Sequence, residues 1–188
     1  MITRDEALLF LKEEIKNENI IKHMLATEAI MRALAKKFEP EKEEEWAIAG
    51  LLHDGDYTPA TPEREQGVKV ARVLEKKGFQ IPDSVKHAMA AHNWHATGVE
   101  PVSKMDWALF ACDSLTGLIV ATALVRPGKD LASVKVKSVM KKYKDGAFAK
   151  GTRRVDIKMC EEKLGIPLEE FVKISLEAMK GISGNLGL

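Results

Sequence analysis

The chain has 188 residues, 45% hydrophobic and 30% charged, with a formal net charge of +1, so one domain with a full hydrophobic core is the expectation. The opening MITRDEALLF mixes charge with apolar residues, unlike a signal or transit peptide, and the two cysteines have no CxxC spacing; both features predict a cytoplasmic protein without a disulfide framework. The near-neutral total hides an asymmetry: residues 1–65 carry 9 Lys/Arg against 15 Asp/Glu, net −6, whereas residues 126–158 carry 11 against 3, net +8.

Helical periodicity runs nearly throughout. Thr3 and Glu6 make a capping box for a first helix to about residue 16, with Leu8, Leu11 and Ile15 as its buried stripe. Asn19 is placed to cap a second helix with the stripe Ile20, Met24, Thr27, Met31, Leu34 and Phe38, and His23 flanks that stripe, facing inward. Pro40 ends it, and the acidic run 41–45 suits the positive start of a third helix. That helix is apolar over 46–52 and ends in His53 and Asp54, with Gly55 as the left-handed residue that stops it. DYTPATPERE reads as a loop in which Thr61 caps, and Pro62 starts, a helix closed by Gly78. Pro82 starts VKHAMAAHNWH, which carries His87, His92 and His95. Ser103 with Asp106 opens the longest apolar helix, about 104–124, which Pro127 and Gly128 break. Asp130 caps a basic helix to about residue 143, and two last helices follow at about 154–164 and 167–180. No alternating run of useful length occurs, so the fold class is all-α: a single-domain bundle of about nine helices.

Adjacent side chains on a helix diverge by about 100°. His53 and Asp54 therefore converge on one object only at the helix end, where the backbone turns. A divalent cation suits that pair of donors. Across residues 107–125 the one charge is Asp113. A membrane span is set aside because its length is marginal, a central Asp costs about 2.5–3.5 kcal/mol, and no second span or aromatic belt exists. A helix apolar on all faces inside a bundle fits better, and a carboxylate there needs a positive or hydrogen-bonding partner. Two readings stay open for Asp113: a protonated or Ser/Thr-bonded side chain, or a further ligand opposite the His53–Asp54 pair.

His23, the doublet His53–Asp54 and Asp113 give the pattern H…HD…D on three inward-facing helices. In this the chain resembles the HD-domain superfamily of metal-dependent phosphohydrolases over about residues 20–125. The resemblance implies that His23, His53, Asp54 and Asp113 bind one divalent cation on a metal-binding core, with Asp54 also catalytic and residues 126–188 a basic helical extension. The doublet reads HDGD here, so the resemblance reaches the superfamily and not the subgroup with HDIG. Some members bind a second metal through histidines between the doublet and the last Asp, where His87, His92 and His95 lie. His87 and His92 are separated by about 140° around a helix, and His92 continues the stripe Val85, Ala88, Met89. His92 is thus the better candidate for a second metal or for substrate, ahead of His87.

Two imidazoles and two carboxylates suit Mn, Fe, Co, Ni, Zn or Mg, and suit Ca poorly. A cation so held has room to activate a water and to polarise a phosphoryl oxygen; Asp56 and a carboxylate near Glu63 stay open as proton acceptors. Phosphoryl groups also call for fixed positive charge. The stretch SVMKKYKDGAFAKGTRR supplies Lys141, Lys142, Lys144, Lys150, Arg153 and Arg154, of which Lys141, Lys144, Arg153 and Arg154 are the phosphate-binding candidates, with a solvated face as the alternative. Aromatics there are sparse and overall charge is near zero, which favours a small phosphorylated substrate such as a nucleotide over nucleic acid. The expected function is a metal-dependent phosphohydrolase; a di-iron oxygenase and a non-catalytic metal or nucleotide sensor are its rivals. No membrane partner is expected, and a homo-oligomer is left open.

Overall fold

α1 (Arg4–Glu14) carries the expected capping box: the Thr3 hydroxyl accepts the Glu6 amide while the Glu6 carboxylate accepts the Thr3 amide. It is the first of eleven helices, nine of them seven residues or longer, in a computed structural model that describes residues 1–188 and is 68% helix with no strands. α2 (Glu18–Phe38) begins earlier than the sequence suggests, because Asn17 rather than Asn19 supplies the capping oxygen, accepting the Asn19 amide at 3.0 Å. Pro40 interrupts the chain in a short 3₁₀ turn before α3 (Glu43–Leu52).

α3 lies against α2 at backbone range. A Cβ on Gly50 would stand 2.9 Å from Met31 Cγ and 3.0 Å from the Glu28 backbone, so only glycine admits this approach. Gly55 is not left-handed, as the sequence suggested. It is small because a Cβ there would meet Val70 at 2.8 Å and Leu11 at 2.9 Å. The helix expected from Pro62 is also corrected: Pro62 leads only a 3₁₀ turn, Glu63–Glu65, and α4 (Lys69–Lys76) starts later. Its cap comes from far back in the chain. Asp56 accepts the Val70 amide at 2.8 Å and the Gly67 amide at 2.9 Å, and Gly67, at φ 76°, makes the turn that presents them.

The run expected as one helix from Pro82 breaks at His92 and Asn93 into α5 (Asp83–Ala91) and α6 (Trp94–Thr97). Asn93 is drawn away by hydrogen bonds to the Glu63 carbonyl and Gln66. α7 (Lys104–Leu124) has the Ser103–Asp106 capping box and spans about 30 Å at 1.5 Å per residue. It is the one helix long and apolar enough to cross a membrane by length and composition, with a mean hydropathy of 1.6. Here α2, α5, α8 and α9 pack around it. α8 (Val136–Lys144) starts beyond the predicted cap, because Asp130 binds the Ser133 amide and closes a turn instead. α9 (Arg154–Leu164) and α10 (Leu168–Lys180) match expectation, and α11 (Ser183–Leu186) adds an unexpected last turn. α10 packs on α2 and α9 on α7, so one cluster of 47 buried residues runs from Ile2 to Leu186.

Candidate metal centre

Four side chains from three helices meet where α2, α3 and α7 come together. His23 stands on α2, His53 caps the end of α3, Asp54 follows it in the turn, and Asp113 is near the middle of α7. His23 Nε2 lies 3.1 Å from His53 Nε2, 3.0 Å from Asp113 Oδ1 and 3.6 Å from Asp54 Oδ2. His53 Nε2 lies 3.6 Å from Asp54 Oδ2 and 3.8 Å from Asp113 Oδ1. Two ligand atoms bound at about 2.1 Å and at right angles stand about 3.0 Å apart, so these spacings fit a shared cation.

The tautomers say the same. The Gly50 carbonyl, 2.8 Å from His53 Nδ1, can only accept, so that nitrogen carries the proton and Nε2 carries the lone pair. The Thr116 hydroxyl donates to the Asp113 carbonyl at 2.6 Å and so accepts from His23 Nδ1 at 2.9 Å, leaving His23 Nε2 as a lone pair too. Two imidazole lone pairs and two carboxylate oxygens thus face one another with no donor between them. Such a group of acceptors fits a bound cation, and the backbone and Thr116 contacts are the orienting partners that ligating imidazoles use.

Charge in the group is strongly displaced. Burial works against the Asp113 carboxylate, and protonated rings at His23 and His53, which donate to it and carry charge, hold it well below the usual carboxylate range; a bound cation would take the place of those protons. Burial opposes Asp54 as well, and His53 and His92 outweigh it and lower its pKa. Asp113 is not sealed in the core, as the apolar run around it suggested: its side chain is 21% exposed and opens on a cleft.

His92 joins this group and His87 does not. His92 is buried, donates Nδ1–H to the Met89 carbonyl, and sets Nε2 3.4 Å from the second oxygen of Asp54. Burial favours its neutral form, but Asp54 outweighs burial and raises its pKa. His87 is held by Asp106 at 2.9 Å, at the start of α7, and His95 stacks on Trp94 with Nε2 3.6 Å from Asp156. Asp56 is withdrawn as a proton acceptor, since both its oxygens are committed to the amides that begin α4 and it is 5% exposed.

The cleft above the group measures about 580 Å³, and one wall is the segment Ala149 to Arg153. The basic run therefore reaches the cleft, through Arg153 of the four candidates and through Lys150. Lys150 and Arg153 line the cleft; Lys141 and Lys144 are exposed on α8 and do not. Arg154 is instead engaged by the chain itself. It donates to the carbonyls of Lys142, Tyr143, Asp145, Phe148 and Thr152, tying the loop 145–153 into shape. Sequence reasoning also missed Thr116, although its place one turn after Asp113 sets both on one face of α7.

A family model described as HD domain matches residues 20–118, just over half of the chain. No curated protein and no solved structure matches.

Proposed function

This chain belongs to the HD-domain family, whose members are typically metal-dependent hydrolases, and on that premise we propose that it is a phosphohydrolase acting on a nucleotide or similarly small phosphate ester. The observation that carries the reading is the group of four converging acceptors set beneath a cationic wall. His23, His53, Asp54 and Asp113 would hold a divalent cation, among Mn, Fe, Co, Ni, Zn and Mg. When bound, that cation supplies a water of lowered pKa and a Lewis acid for a phosphoryl oxygen. Lys150, and Arg153 through the nitrogens that its 2.6 Å ion pair with Asp156 leaves free, would bind the non-bridging oxygens from the facing wall and offset the charge that develops on them. Thr116 and the Gly50 carbonyl hold the two rings at fixed angles, and His92 anchors the outer oxygen of Asp54.

One cation per chain is favoured over two. A second would sit between Asp54 and His92, where the other imidazole in reach, His53, already belongs to the first group, and His87 and His95 are drawn to Asp106 and Asp156. That weighs against a di-iron oxygenase. The test is elemental analysis of the purified protein, followed by a phosphate-release screen against nucleotides with each cation in turn. About one cation per chain and cation-dependent release are expected. Two irons per chain, or tight nucleotide binding with no product under every cation, would overturn the reading.

A further inference from the structure

Gly117 stands in the interior of α7, at an exposed position. A glycine there weakens a helix relative to alanine, because it frees the unfolded backbone and contributes no side chain. Packing does not ask for it: a Cβ at this position would meet no atom within 4 Å, and the backbone is not left-handed. What lies over Gly117 is the junction of two chambers. The metal cleft of about 580 Å³ and a second cavity of about 410 Å³ share His23, Thr116 and Gly117 as lining. Each falls within the range of small-ligand sites, about 300–1,000 Å³.

The two chambers differ in chemistry. The metal cleft has 2 hydrophobic residues among its 15, and its wall carries Lys150 and Arg153. The second has 5 hydrophobic residues among 11, with Val120 and Leu124 of α7 facing Leu186 across it. Asn19 and Lys22 of α2 line it as well, and neither side chain is engaged by another protein group. A ligand filling both chambers carries a phosphate at one end and a largely apolar, hydrogen-bonding group at the other.

We propose that the metal cleft takes the phosphate of a nucleoside monophosphate, that its sugar crosses above Gly117, and that its base occupies the second chamber. The aliphatic walls cover the faces of the base, and Asn19 and Lys22 meet the acceptors on its edge. Gly117 is the aperture, and any side chain there stands in the path of the sugar. This rests on the phosphohydrolase reading above, which supplies the phosphate and its place.

The test compares the whole, metal-loaded protein with Gly117→Leu and Gly117→Ala. Both substitutions favour the helix, so melting temperature and metal content are expected to hold or rise. In Gly117→Leu the KM for nucleoside 5′-monophosphates is expected to rise tenfold or more, with a smaller rise for alanine. Inorganic phosphate, which needs only the metal cleft, is expected to inhibit all three with the same constant. Lys22→Ala should raise the same KM without touching the phosphate constant. An unchanged KM in Gly117→Leu would sink the proposal while leaving the phosphohydrolase reading intact. So would a preference of the parent for hexyl phosphate over every nucleoside monophosphate. If the parent turns over no ester, calorimetry decides: nucleoside monophosphate binding that weakens tenfold in Gly117→Leu supports the chamber, and no binding to the parent overturns it.

Discussion

His23 and His53 face each other through nitrogens that both lack a proton, because Thr116 and the Gly50 carbonyl claim the protons on the far sides of the rings. The cation is thus invited by contacts outside the ligand set. Replacing Asp54 or Asp113 by Ala removes an anionic ligand, and elemental analysis of either variant is expected to find little metal. Thr116→Val keeps the shape but frees the His23 ring, and metal affinity is expected to fall by about 10–100-fold with the fold retained; equal affinity in a competition titration would show that the hydroxyl does not orient the ring. Asp56 behaves differently although it neighbours the doublet. Asp56→Ala strands the buried amides of Gly67 and Val70, so a stability loss of about 1–3 kcal/mol is expected in urea, with metal content unchanged. Loss of metal without loss of stability would return Asp56 to the site.

Among the elements, the loop between α8 and α9 decides how the cleft is closed. Its shape hangs on Arg154, whose guanidinium gathers five carbonyls. That gathering holds the loop from which Lys150 and Arg153 line the cleft. Lys150→Ala is expected to weaken substrate binding by about 1.5–3 kcal/mol, the scale of a charge-assisted hydrogen bond, while Lys141→Ala and Lys144→Ala leave KM alone. Steady-state kinetics on the three variants checks this, and a KM that moves for Lys141 or Lys144 would place α8 in the cleft. The same loop explains what the sequence could convey. Capping boxes at Thr3 and Ser103 were legible because both partners lie within one turn. So were the inward positions of His23, His53, Asp54 and Asp113, which periodicity and helix ends fix locally. The start of α4 was not, because its cap, Asp56, lies in a loop well before it. Nor was the choice of Lys150 over Lys141, since spacing tells which helix face a residue occupies and not what stands opposite.

For the whole molecule, one core binds the matched region to the remainder, as α9 and α10 pack on α7 and α2. A cation held at the junction of α2, α3 and α7 would tie three of the core's helices together and favour the folded form. At a free concentration 100 times its Kd it would contribute about 2.7 kcal/mol. Excess chelator is then expected to lower the melting temperature by roughly 5–10 °C, at about 2–4 °C per kcal/mol for a chain of this size. Asp113→Asn, with no charge left to strand, should lose less on chelation than the parent. An unchanged melting curve for the parent would count against a structural hold by the metal.

The order of parts along the chain has a consequence in time. Every residue of the cation-binding group precedes residue 118, whereas the wall at Ala149 to Arg153 and the covering helices α9 and α10 come after it. A ribosome adding about 5–20 residues per second needs about 2–8 s to pass from Asp113 to Arg153. During that interval the nascent chain has all four candidate ligands in sequence but not yet the cationic wall. The residues that would hold the ion and those that would complete the hold on the ester are therefore delivered in that order.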